Sequence, residues 1–446
     1  MTRDLGPDVP FCDSDIPWLD KIPVHWTFTR LKFVAEVQGG LTLGKNYGTV
    51  ALVEYPYLRV ANVQDGHLDL SDVATVMVPE TEAESCLLKV GDVLMNEGGD
   101  ADKLGRGCIW AGEIIPCLHQ NHVFAVRPRL VCSEWLNAWA SIEIAEAFFE
   151  SRAKQSTNLA SISATNIKEL PIPIPPADEQ IAIVAYIDRE TARLEGLVAA
   201  KELVLELVAE KRRALITYAV TRGLDPCAPL RDSGIPWLDE IPAHWEVKRL
   251  KFTSPEITVG IVVTPAKYYE SAGVPCLRSL NVREEGLTDS DLVYISDESN
   301  ALLAKSRVFV GDLVAVRSGQ PGTTAVVNER FDGANCIDLI IIRRSPAFVS
   351  AFLSHFLNSQ PAKMQFLSGS GGAIQQHFNI ETAKDLVVPV PSLAEQCAIV
   401  AHIATETAKL DALRSATERT IALLRERRAA LIAAAVTGQI EVEGAV

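Results

Sequence analysis

Apolar and polar positions change period twice along this chain. Short apolar runs come first, at 73–78 (VATVMV), 92–95 (DVLM), 108–115 (CIWAGEII) and 122–128 (HVFAVRP). A second set follows at 291–296 (DLVYIS), 312–316 (DLVAV), 323–327 (TTAVV) and 336–344 (CIDLIIIRR). Gly, Pro, Asn and Asp separate them, which predicts strands. A helix-patterned stretch follows each set, at 133–151 and 346–367. The period then shifts to alternating steps of three and four. The first seam is Val184, Ile187, Thr191, Leu194, Val198, Lys201, Leu205, Val208, Arg212, Leu215 and Ala219. The second is Val400, Ile403, Thr407, Leu410, Arg414, Thr417, Ile421, Leu424, Arg428, Leu431 and Ala435. Such spacing over five heptads predicts a coiled coil. Lys201, Arg212, Arg414 and Arg428 interrupt it, either fixing register or extending into solvent.

The proline runs 171–176 (PIPIPP) and 389–392 (PVPS) bar helix before each seam. The helices are therefore predicted over roughly 177–222 and 393–437, each on the order of 65 Å long. That divides the chain into a globular part at 1–176, a helix, a second globular part at 223–392, a second helix, and a tail at 438–446. Each globular part is predicted to be α+β.

The two halves are copies. Residues 14–33 (SDIPWLDKIPVHWTFTRLKF) match 233–252 (SGIPWLDEIPAHWEVKRLKF) at 14 of 20 positions. LPIPIPPADEQIAIVAYIDRETARLE (170–195) aligns with LVVPVPSLAEQCAIVAHIATETAKLD (386–411). A repeat of about 215 residues is too long for a solenoid unit. Domain, helix, domain, helix suits an antiparallel helix pair. It would place the domains at opposite ends of a rod, related by an approximate two-fold axis, and duplex DNA has a local dyad.

Composition narrows the function. Hydrophobic residues are 48% and charged residues 22%, ordinary globular usage. The strongest apolar run, Ile337–Ile342, is strand-sized, so no membrane span is expected. The start MTRDLGPDVP lacks a signal-peptide pattern, and a cytoplasmic protein is expected. Nine scattered cysteines without a CxxC read as buried reduced thiols, and no metal or cofactor is expected. A net charge of −15 argues against a general DNA binder acting alone.

The doubled IPWLD-x-IP-x-HW…RLKF segment and the doubled P-x-P…EQ-x-AIV segment resemble the specificity subunit of Type I restriction–modification systems. The resemblance covers nearly all 446 residues. It implies two target-recognition domains, each reading half of a split, asymmetric double-stranded DNA target. An antiparallel coiled coil would set the gap. It further implies two methyltransferase subunits as partners, with restriction subunits in the larger complex, and no catalysis by this chain. Partner subunits would share the enclosure of DNA, which accommodates the acidic charge. The alternative is a self-contained DNA-modifying or DNA-cleaving enzyme. It lacks a sequence basis: there is no P-loop, no Asn/Asp-Pro-Pro-aromatic tetrapeptide and no strand-coupled GxGxxG.

Residues shared by the halves cannot explain different half-sites, so base readers are sought where polar loops differ. In the first half these are Asn96, Lys103 and Arg106, with Gln120 and Asn121 beside His122. In the second they are Arg317, Ser318 and Gln320, with Gln375 and Gln376 beside His377. Arg pairs with guanine and Asn or Gln with adenine. The shared Arg59 and Arg278 either bind phosphate or make a structural hydrogen bond. Three tempting patterns are discounted. Glu246-x-Lys248 resembles a nuclease tail, but Thr27-x-Thr29 replaces it in the first copy. His119-x-x-His122 lies in a predicted strand, and Trp18, Trp26, Trp237 and Trp245 lie in the shared segment and read as packing.

Overall fold

The computed structural model describes residues 10–14, 18–19, 21–99, 104–105, 107–155, 160–368, 378–440 and 442. It divides into two compact units, Met1–Lys201 with Arg419–Val446, and Glu202–Glu418. Both crossings from unit to unit fall inside long helices.

The first unit is built on an antiparallel four-stranded sheet. Its order is Ala35–Gln38, Val123–Pro128, Val93–Asn96, Gly107–Ile109. The apolar runs are continuous rather than alternating because both faces are covered. Val93, Met95, Phe124 and Val126 face a core with Trp135, Trp139 and Phe149. Leu94, Cys108, Val123 and Ala125 face a second core with Leu58 and Trp110. A smaller sheet, Leu118–His119, Val53–Leu58 and Ala74–Val78, packs through Tyr55, Tyr57 and Val78. The stretch 133–151 splits into helices Ser133–Ala140 and Glu143–Glu150, because Ile142 is extended at φ −94°.

The proline run is itself a strand. Pro171–Ile174 pairs antiparallel with Thr27–Arg30, in a two-stranded ribbon where missing amide donors are tolerated. Two tryptophans hold it in place: Trp135 Nε1 donates to Pro173 O at 3.0 Å and Trp139 Nε1 to Pro171 O at 2.8 Å.

The second unit repeats this plan. Its main sheet runs Ile257–Val259, Leu339–Ile342, Leu313–Val316, Thr324–Val326. The helical stretch is again broken, into Ser350–Asn358 and Gln360–Ser368. Glu246–Arg249 pairs with Val387–Val390.

The long helices are Ala177–Arg222 and Leu393–Val436. Within the first unit Ile183, Tyr186 and Ile187 share a core with Ile432, Ala435 and Val436, and Arg428 pairs with Glu195 at 3.2 Å. Within the second, Ala219 and Val220 share a core with Ile399 and Ile403, and Arg212 pairs with Asp411. In each unit the helices therefore run antiparallel. The two ion pairs are one pair made twice, with the helices exchanging roles. Every seam position is buried or half-buried except Arg414, which turns out to Glu418 at 2.9 Å.

Candidate nucleic-acid interface

The doubled motifs meet in space. Trp26 Nε1 donates to Glu179 at 3.0 Å, and His25 Nε2 lies 2.9 Å from the same carboxylate. Trp245 and His244 hold Glu395 at 2.9 and 3.2 Å. These glutamates occupy the first turn of each long helix, where negative charge is favoured. The next residue turns inward: Gln180 Nε2 donates to Pro175 O, and Gln396 Nε2 to Pro391 O and Ala347 O. The RLKF ends grip a second acid. Arg30 and Lys32 reach Glu169 at 2.5 and 2.6 Å, and Arg249 and Lys251 reach Asp385 at 3.3 and 2.8 Å. The lysine hydrogen bonds are the main cause holding both carboxyls below their usual range. Trp26 and Trp245 are buried, Trp237 is half-buried and Trp18 is exposed.

Four segments converge beside the main sheet of the first unit. Leu41 N donates to His119 O at 2.8 Å and Asn121 N to Leu41 O at 3.0 Å. Gln120 N donates to Leu58 O at 2.8 Å, and its Oε1 accepts from Val60 N at 3.4 Å. Glu97 N donates to His122 O at 2.8 Å, and its carboxylate lies 2.5 Å from His122 Nδ1. Gly40 permits this approach: a Cβ there would stand 2.3 Å from Gln120 O. Gln120 and Asn121 are half-exposed, whereas Asn96 is buried and donates to Val63 O at 2.9 Å. Lys103 and Arg106 lie outside the described residues.

The second unit repeats the approach with different side chains. Ile261 N donates to Cys336 O at 2.8 Å, and a Cβ on Gly260 would stand 2.4 Å from that oxygen. Arg317 pairs with Asp338, and Phe378 N donates to Arg317 O at 3.0 Å. Ser318 is half-buried and Gln320 exposed. Gln375, Gln376 and His377 lie outside the described residues.

Arg59 and Arg278 have intramolecular partners. Arg59 Nη2 donates to the Asp72 carbonyl at 3.0 Å and carboxylate at 2.8 Å, and Arg278 Nη2 donates to Asp291 O. Each sits above a buried asparagine, Asn62 or Asn281, whose Oδ1 accepts from the arginine amide at 2.8 or 2.9 Å. The repeated LRxxNV segment is thus a side-chain-tied turn. Sequence reasoning passed over the loop 39–48, whose Leu41 pairs with His119 and Asn121 while Lys45 pairs with Glu82. Its signal was the glycine set Gly39, Gly40, Gly44 and Gly48, but the partner is about 80 residues away.

The described titratable groups here are buried or paired. His119 is fully buried, its Nδ1 2.7 Å from Val123 O, and burial holds its pKa below the ordinary value. Burial pushes the Cys108, Cys117 and Cys276 thiols up to about 12, whereas Cys12, Cys227 and Cys397 are exposed, against the expectation of buried thiols. Lys248 pairs with Glu246 at 2.5 Å on an exposed strand. Among the described residues no group of three or more His, Cys, Asp and Glu is placed to hold a metal, and no helix is long and apolar enough to cross a membrane.

One scaffold is built twice and carries unlike polar loops. The Type I restriction modification DNA specificity domain family matches residues 23–203. The putative type I restriction enzyme MjaX specificity subunit of Methanocaldococcus jannaschii is 23% identical over 86% of this chain and 87% of its own length. The EcoKI specificity subunit of Escherichia coli K12 is 23% identical over 94% and 90%. Two solved structures share the fold. One, from work on complex assembly and conformational transition of the type I R-M system, has a TM-score of 0.67 at 16% identity, covering 94% of this chain and 99% of that one. The HsdS subunit of Thermoanaerobacter tengcongensis has 0.50 at 16%, covering 94% and 98%. Over most of its length the chain is thus similar to specificity subunits of Type I restriction–modification systems.

Proposed function

We propose that this chain reads a split, asymmetric double-stranded DNA target, one half-site per unit. It directs two methyltransferase subunits, and restriction subunits in the larger complex, without catalysing a step itself. The observation that supports this is the repeated loop platform with unlike contents: Gln120 and Asn121 in one unit stand where Ile337 and Asp338 stand in the other, beside the loop that carries Ser318 and Gln320. Identical platforms supply the same docking geometry, and unlike side chains read unlike bases. Asn96 and Arg317 act as positioning residues, since their side chains already bind Val63 O and Asp338. The target gap follows from the length of the paired helices.

The test is methylation-sensitive sequencing of a methylation-free host that expresses this chain with the methyltransferase encoded beside it. A split motif appearing only when both are present is the expected result. Activity of the purified chain alone, with Mg²⁺ or a methyl donor, would overturn the non-catalytic role.

A further inference from the structure

The RLKF turn points its residues in two directions. In both copies it is a single 3₁₀ turn, and Leu31 and Leu250 go fully into the core. Phe33 and Phe252 go the other way, 64% and 73% exposed. The preceding lysine lies by each ring, with Lys32 Nζ 5.2 Å from the Phe33 centroid and Lys251 Nζ 5.5 Å from that of Phe252. Each lysine is also held by its acid, Glu169 or Asp385, which the neighbouring arginine shares. The result is an exposed ring on an anchored turn, beside two cations and one carboxylate. Leu130, 69% exposed, is tied by its backbone to the residue after the first ring: its amide donates to Val34 O at 3.2 Å.

A large apolar side chain standing in water at the same place in both copies gives the fold little. It cannot distinguish half-sites, because the copies are alike. Phosphate gains nothing from a phenyl ring, and the cations beside it are already partly neutralised. Two like patches suit two copies of one protein partner. The patch has one surplus positive charge, so the matching surface offers an apolar socket with an acidic rim. We propose that Phe33 and Phe252, each with its lysine, are docking knobs for the two methyltransferase subunits, one per knob. This rests on the functional reading above.

The experiment uses the full chain co-expressed with the methyltransferase encoded beside it. Native mass spectrometry counts partner copies, and titration gives the affinity. Wild type is expected to hold two copies. F33A and F252A should each weaken one site by about 10- to 100-fold, leaving mainly one copy at fixed concentration. F33A/F252A should retain none, as should the charge-reversed K32E/K251E. The two rings are exposed, so the alanine variants should melt with wild type. An unchanged count and affinity in F33A/F252A would overturn the proposal. So would two retained copies with target-DNA affinity down tenfold, which would assign the patch to DNA. A wild-type chain that holds no methyltransferase would instead overturn the functional reading on which the proposal stands.

Discussion

Lengthening both long helices by one heptad is expected to widen the gap in the DNA target by about three base pairs. The places to insert are between Lys201 and Glu202 and between Glu418 and Arg419, where the chain crosses from one unit to the other. Seven helical residues add about 10.5 Å, at 1.5 Å each. B-DNA rises about 3.4 Å per base pair, which gives about three. A heptad preserves the alternation that buries Ile187, Leu194 and Val208 on one helix and Ile403, Leu410 and Ile421 on the other. Three added base pairs also turn the second half-site by about 100°, at about 10.5 base pairs per turn, so methylation should become less efficient as its gap shifts. Insertion of three residues in each helix is the control. It throws the later seam positions off the apolar face and should abolish assembly. The assay is the methylation sequencing described above. Methylation retained at the wild-type gap would refute the helices as the ruler.

Three further outcomes follow from the geometry. In a double-mutant cycle, Trp26→Phe and Glu179→Ala should show coupling of about 1 kcal/mol in denaturant unfolding, because the buried indole N–H loses its acceptor; additive effects would show the clamp to be idle. Gly40→Ala should erase reading of the first half-site and leave the second intact, since its Cβ would meet Gln120 O and His119 O at 2.3 Å; a wild-type motif from that variant would exclude the loop platform from readout. Melting temperature should fall as pH drops below about 6.5. Burial holds His119 and His355 below that value, so the unfolded chain takes up protons that the folded chain refuses. Their stabilisation is complete above pH 6.5 and declines toward the folded pKa, and H119Q/H355Q should flatten the slope in calorimetry.

The long helices were legible in the sequence because their signal is periodic and local. Prolines mark where they begin, and a seam of Val, Ile and Leu marks which face is covered. The same prolines were legible only as barriers. That Pro171–Ile174 is also a strand depends on Thr27–Arg30, about 140 residues earlier, and on indole donors from Trp135 and Trp139. The helical stretches were placed correctly, but their breaks at Ile142 and Ser359 were not visible in the pattern. The site was harder still. Asn96 has the composition of a base reader, yet its amide is buried on Val63 O, and only pairing across the sheet end decides that. Arg59 and Arg278 drew attention as shared cations, and what holds each is a carbonyl thirteen residues on.

The zipped edges of each globular part bear on inheritance. Arg30 lies opposite Pro171, and Arg249 opposite Val387. Everything between those partners leaves and returns through one closed gate, with two cores of its own and a third shared with the long helices. Such an insert behaves as a cassette. A crossover in the repeated flanks at 14–33 or 233–252, matched by one near the EQ motif, would exchange a whole insert while leaving the helices and both tryptophan–glutamate clamps untouched. A lineage could therefore acquire a new target word in one recombination event, without a damaged intermediate.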